Sequence, residues 1–387
     1  MTDSRTQPKT IYLDNAATSW PKPPVVVEAV SRFLIECGGS SGRAGHQPSR
    51  EAERIVLDAR SRLARMLGVS DPHRIVVCFN GTDALNIAIK GTLREGDHVV
   101  CTALDHNSVS RPLVAMARRG FISLSRIGVG SDGCIDPAKI EEAITPATRL
   151  VAVNHASNVT GMIQPIADVG RIVRKHEALF LIDAAQTAGV LSLNVESVRA
   201  DLVAFPCHKS LLGPPGIGAL YVGPRTELRP FREGGTGADS ENPVQPGELP
   251  TRLEAGSTNV AGWAGLCAAL AEQTPEQTLE HERNLLAQLT DGIAKTETIR
   301  IVGHTDHRRR VGVMSLNVDG YTPQEVAAIL DESFHIAVRP GLHCAPYAHR
   351  ALKTFPDGTV RIAPGPFTTS DQIARLCEAL LQIARAG

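Results

Sequence analysis

From residue 74 onward, short apolar runs rich in β-branched residues alternate with segments of helical periodicity. RIVVCF is followed by DALNIAIKGTL, DHVVCTA by SVSRPLVAMARRG, and LVAVNH by ADVGRIVRKH; ALFLIDA comes next. A strand with few polar positions must be covered on both faces, and the intervening helices supply that cover. The pattern predicts an α/β fold built on a mostly parallel sheet, with functional side chains gathered at the carboxyl ends of its strands.

After Gly256 the pattern changes. A helical segment over about 260–296 is followed by TIRIVG, VGVMSLNV, a helix at PQEVAAILDES and a last helix from about 370, which reads as a smaller α+β domain. With 387 residues, 42% of them hydrophobic, the chain can build two packed domains. We place the large one at 20–262 and the small one at 263–387 together with 1–19. Within the large one, REGGTGADSENPVQPGELP (232–250) has the composition of a long loop.

Charge and cysteine content narrow the function. Forty Lys and Arg against 41 Asp and Glu leave a net charge of -1, no broad basic field for nucleic acid, and so a small-molecule substrate is expected. The polar opening MTDSRTQPKT and the lack of a long apolar run predict a cytoplasmic protein that makes no use of a membrane. The eight cysteines (37, 78, 101, 134, 207, 267, 344 and 377) form no C-x-x-C pair, so neither a metal site nor a disulfide framework is expected. Seven read as small buried hydrophobes.

Three strand ends carry candidate chemistry. RIVVCFN runs into Gly81-Thr82 and a helix, where unpaired N–H groups favour a phosphate, although Thr82 is equally suited to cap the helix. ALFLIDAAQ ends on Asp183, a buried carboxylate that needs a cation, whether a protonated pyridine nitrogen or an arginine, with Gln186 three residues on. In DLVAFPCHKSLLGPPGIGALYV, Lys209 stands between two apolar strands; it is either used covalently or snorkels on a turn.

Thr82, Asp183 and Lys209, in this order within this α/β pattern, resemble the fold-type I pyridoxal-phosphate (PLP) enzymes of the class V aminotransferase family. YLDNAAT, NGTDALN, LDHNSV, HASNVTG, IDAAQ, HK, EAGSTN and RPGLHCAP bring the resemblance closest to its cysteine desulfurases. The resemblance implies a PLP cofactor bound as a Schiff base to Lys209, with Asp183 on the pyridine nitrogen and Gln186 on the ring hydroxyl. It implies that His106 stacks on the ring and joins the catalysis, that Asn158 lies on the ring-oxygen side and near the substrate, and that Gly81, Thr82 and His208 hold the phosphate. In a homodimer, Ser257 would reach the neighbouring subunit's phosphate.

Cys344 sits among Gly341, His343 and Pro346, a turn-rich setting that suits an exposed nucleophile. By resemblance it takes sulfur from L-cysteine as a persulfide and leaves alanine, Arg361 binds the substrate carboxylate with help from Arg339, and a sulfur-acceptor protein collects the product. His343 stays outside the catalytic set. The short cysteine segment resembles the short-loop group of these enzymes.

The chain departs from the family's pattern at Pro206 and Cys207, where a hydroxyl residue and a glycine usually precede His-Lys; one phosphate hydrogen bond is expected to be missing. Pro364 and Pro366 flank Arg361 as a second departure. Alternative readings are another class V reaction (selenocysteine lyase, cysteine lyase or epimerase) and a non-catalytic sulfur carrier or interaction protein.

Overall fold

A computed structural model of the chain describes residues 10–42, 45–130, 132–237 and 240–386. Its main sheet has seven strands in the spatial order Ile75–Cys78, Gly218–Val222, Leu202–Pro206, Leu179–Asp183, Thr148–Asn154, His98–Thr102 and Ser123–Ile127. Only Gly218–Val222 runs antiparallel to its neighbours; the other pairings are parallel. Every residue of five of these strands is buried, which is the reason for their continuous apolar composition.

Alternate side chains feed two cores. Val77, Val100, Val151, Phe180 and Val203 pack on one face, and Val76, Val99, Leu150, Leu179 and Leu202 on the other. A third core lies between a four-stranded antiparallel sheet (order Arg339–Gly341, Thr359–Ile362, Met314–Val318, Ile299–Val302) and the helices Pro275–Ile293, Pro323–Phe334 and Ser370–Ala386. Ile11 and Leu13 are built into this third core, carried there by the parallel pairing of Ile11–Tyr12 with Ile336–Ala337.

Two details differ from the sequence expectation. The single helix expected over 260–296 is two, Val260–Glu272 and Pro275–Ile293. Pro275 disfavours helical geometry in the residue before it and has no N–H to continue the ladder, so it starts a new helix instead. The cysteines are also less uniformly interior: Cys78, Cys101, Cys207 and Cys377 are buried, Cys37, Cys134 and Cys267 only partly, and Cys344 is exposed. Among the described residues of 232–250 there is no helix or strand, and Arg232 ties the start of that stretch to Asp83.

Helix Pro275–Ile293 also buries Glu282, which faces a small gap shared with Lys209, Pro364 and Pro366. Its carboxyl group accepts from the Gly312 N–H and has no ion-pair partner among the described residues, and burial pushes its pKa up to about 8. An unfolded glutamate loses its proton near pH 4.3. Between that pH and about 8 the folded chain therefore keeps a proton the unfolded chain has lost. The stability this neutral carboxyl provides is complete below the window and falls through it by roughly 1.4 kcal/mol per pH unit. Glu282→Gln should flatten the decline in urea-unfolding free energy from pH 5 to pH 8; an identical decline in both proteins would contradict a neutral Glu282.

Candidate active site

A cavity of about 260 Å³ opens at the carboxyl ends of the parallel strands. Gly81, Thr82, His106, Asn158, Asp183, Gln186, His208, Lys209, Arg339, Cys344 and Arg361 all line it, so the fold brings together residues spread over 280 positions of sequence, from 81 to 361. Ser257 is not among them. It is exposed and borders a separate gap beside Gly216, Glu254 and Trp263.

One end of the cavity is built for an anion. Strand Ile75–Cys78 leads directly into helix Gly81–Thr92, whose cap is Asn80: its side chain accepts from the Asp83 N–H at 2.9 Å. This corrects the idea that Thr82 caps the helix, because Asn80 already takes that place and leaves the Thr82 hydroxyl facing the cavity. Gly81 is required where it stands, since a Cβ there would lie 2.9 Å from Cδ of Pro206. A second helix, Asn107–Arg118, begins at the same end, and Thr82 Oγ1 lies 2.7 Å from Ser108 Oγ in its first turn. Two helix N-termini and their hydroxyls thus converge, as an anion requires. His208 Nδ1 is buried with no partner. Burial, with Lys209 and Lys22 nearby, lowers its pKa to about 4, so the ring is neutral at physiological pH.

The middle of the cavity combines an amine, a carboxylate and an imidazole. Asp183 is buried, and its side chain accepts one hydrogen bond, from the Ala185 N–H at 3.0 Å. Burial raises its pKa, with that bond and the Lys209 charge opposing. Lys209 has no ion-pair partner among the described residues; burial and the Arg361 charge lower its pKa to about 8 against the pull of Asp183. Asp105 accepts from the Thr102 N–H and hydroxyl, at 2.6 and 3.0 Å, and so shapes the turn that delivers His106. His106 Nδ1 accepts from the Ser108 N–H at 3.0 Å, and burial with Lys209 and Arg361 lowers its pKa to about 4. The ring is therefore neutral and carries its proton on Nε2. Gln186 donates to the Ala16 carbonyl at 3.1 Å, fixing the YLDNAAT segment over the site.

The cysteine turn closes the far end. His343 and Cys344 both take left-handed backbone angles, φ 47° and 57°, each costing about 1–3 kcal/mol for a residue with a side chain. Three contacts hold the turn: Asn107 N–H to the Cys344 carbonyl (2.7 Å), Asn158 Nδ2 to the His343 carbonyl (2.7 Å), and His343 Nε2 with Thr359 Oγ1 (3.0 Å). Cys344 is presented exposed at the cavity wall, which Arg339 and Arg361 also line. Burial and Arg361 hold the His343 pKa down at about 2, so its ring brings no positive charge to the thiol.

Arg361 is 3% exposed and pairs with Asp14 at 2.7 Å, donates to the Asn158 carbonyl at 3.1 Å, and keeps a buried Nε with no partner. Arg339, on the adjacent strand, grips the same Asp14 at 2.7 Å. Pro364 and Pro366 border the gap near Glu282 and are absent from the main cavity wall. Sequence reasoning missed Asp14, Ser108 and Asn154. Asn154 ends its strand beside Asp183, with its buried Oδ1 unpartnered. Asp14 and Ser108 lie in YLDNAAT and LDHNSV, motifs whose signal was present but whose pairings only the folded chain creates.

The residues fit a phosphorylated cofactor with a cationic ring: an anion cradle at one end, a buried carboxylate lacking a cation, a lysine of lowered pKa, and unpartnered buried oxygens on Asn154 and Asn158. The architecture is that of the fold-type I enzymes, as the sequence led us to expect. The model of the family "Aminotransferase class-V" matches residues 11–376, and the chain belongs to that family. A probable cysteine desulfurase of Methanothermobacter thermautotrophicus is 35% identical over 97% of this chain and 95% of its own. The cysteine desulfurase IscS of Vibrio cholerae is 32% identical over 97% and 92%. The apo structure of the cysteine desulfurase from Thermococcus onnurineus superposes with a TM-score of 0.90 at 31% identity, covering 98% of this chain and 95% of that one.

Proposed function

We propose that this chain is a PLP-dependent cysteine desulfurase that converts L-cysteine to L-alanine and takes the sulfur as a persulfide on Cys344. The observation that carries the reading is an exposed thiol fixed on the wall of the same cavity that holds Lys209 and Asp183. The relatives named cysteine desulfurase support it and favour it over the other class V reactions and over a non-catalytic carrier.

When bound, PLP supplies an electron sink that weakens the bond between the β-carbon and sulfur of the substrate. With its pKa lowered to about 8, Lys209 has a neutral fraction at physiological pH that can bond the cofactor. Asp183 holds the ring nitrogen protonated, Gln186 and Asn158 border the ring, and Gly81, Thr82 and His208 hold the phosphate. Arg361, with Arg339 beside it, receives the substrate carboxylate through the planar guanidinium. The Cys344 thiolate attacks the substrate sulfur; the carbon–sulfur bond breaks, its electron pair passes to the substrate, and a proton completes alanine. In this reading His106 stacks on the ring and moves a proton, supported by its neutral ring with the proton on Nε2.

Two further parts of the reading rest on family resemblance. The chain acts as a homodimer in which Ser257, away from its own cavity, serves the second copy's phosphate, and a separate acceptor protein removes sulfur from the short cysteine turn. A cytoplasmic location belongs to the same reading; among the described residues no helix is long and apolar enough to cross a membrane. Division into 20–262 and 263–387 with 1–19 is likewise proposed; residues 1–9 and 387 of that division lie outside the described residues. The test incubates purified protein with PLP, L-cysteine and a reductant: alanine and sulfide in equal amounts support desulfuration, and pyruvate with ammonia contradicts it.

A further inference from the structure

The wall around the anion cradle lacks a donor where Pro206 stands. Proline has no N–H, and its ring is packed against Gly81. Cys207 is fully enclosed and takes no part in lining the cavity. A hydroxyl is nevertheless present from another direction. Ser108 occupies the second position of helix Asn107–Arg118, as Thr82 does in helix Gly81–Thr92; both are 12-residue helices, both residues line the cavity, and their oxygens are 2.7 Å apart.

The two hydroxyls form a hydrogen-bond chain that ends on His106. Ser108 Oγ is also 2.9 Å from His106 Nδ1, but that nitrogen already accepts from the Ser108 backbone N–H at 3.0 Å. Each hydroxyl carries one proton. One proton bridges the two oxygens; the other is shared with His106 Nδ1 and turns to an anion between the helix N-termini, because a charged phosphate is the stronger acceptor.

We propose that Ser108 is a ligand of the cofactor phosphate, supplying with Thr82 the hydroxyl contact that Pro206 cannot make. This assignment rests on the PLP reading above. It explains how the cradle dispenses with a hydroxyl at 206: the donor has moved to the first turn of the neighbouring helix. The same arrangement ties the phosphate end to the orientation of His106, because one residue contacts both.

The test titrates apoprotein with PLP and, separately, with pyridoxal, which has the same ring and aldehyde but no phosphate. Ser108→Ala should weaken PLP binding about tenfold, equivalent to the loss of about 1.4 kcal/mol, and leave pyridoxal binding within about twofold of wild type. Adding Pro206→Ser to Ser108→Ala should restore most of the PLP affinity. Unchanged PLP affinity in Ser108→Ala, or an equal loss for PLP and pyridoxal, would overturn the assignment, the second result marking a purely structural serine. A wild-type chain that binds no PLP at all would overturn the cofactor reading and this inference with it.

Discussion

Cys344→Ser should abolish alanine and sulfide formation from L-cysteine, lowering kcat by roughly a thousandfold or more while PLP affinity stays within about twofold of wild type. The expected separation follows from geometry. The turn is held through the Cys344 and His343 carbonyls and the His343 ring, by Asn107, Asn158 and Thr359, and not through the thiol, so an oxygen in place of sulfur leaves these contacts and the cofactor's untouched. A serine hydroxyl is almost fully protonated at neutral pH, and the neighbouring His343, whose pKa burial holds down at about 2, is too weak a base to activate it. Retained turnover of cysteine by this variant would remove persulfide chemistry from the account.

Asp183→Asn should be nearly as damaging, for a different reason. The shape of the side chain and its bond from the Ala185 N–H can survive the change, but the negative charge cannot. Removing one member of a buried charge pair costs roughly 3–5 kcal/mol, which corresponds to about two to four orders of magnitude in rate. Thermal stability should be kept or slightly raised, because the buried carboxylate is costly in the absence of its cation. The kinetics of cysteine turnover together with a melting curve check both parts; near-normal kcat would show that no ring nitrogen depends on Asp183.

Much of this was legible in the sequence because its signals were local. Uninterrupted apolar strands such as LFLID can be satisfied only inside a two-sided sheet, and a lysine or aspartate at such a strand end stands out against them. The features that escaped detection depend on closure of the whole chain. Asp14 meets Arg361 across 347 positions, and nothing near either residue announces the pairing. Ser108 looks like an ordinary first-turn serine until its helix is placed against Thr82. The break at Pro275 was a local signal that the strong helical pattern on both sides outweighed. Asn80 displaced Thr82 as the cap because the choice between adjacent polar residues turns on backbone angles, and in the fold Asn80 is the extended residue.

The most direct measurement follows a single turnover. Protein loaded with PLP is given less than one equivalent of L-cysteine without reductant, then digested and its peptides weighed. The account predicts one added sulfur atom on the peptide containing Cys344 and, after borohydride reduction of untreated holoprotein, the cofactor fixed to the peptide containing Lys209. Sulfur appearing on Cys37 or Cys134 instead, or a cofactor bound to any other lysine, would contradict it.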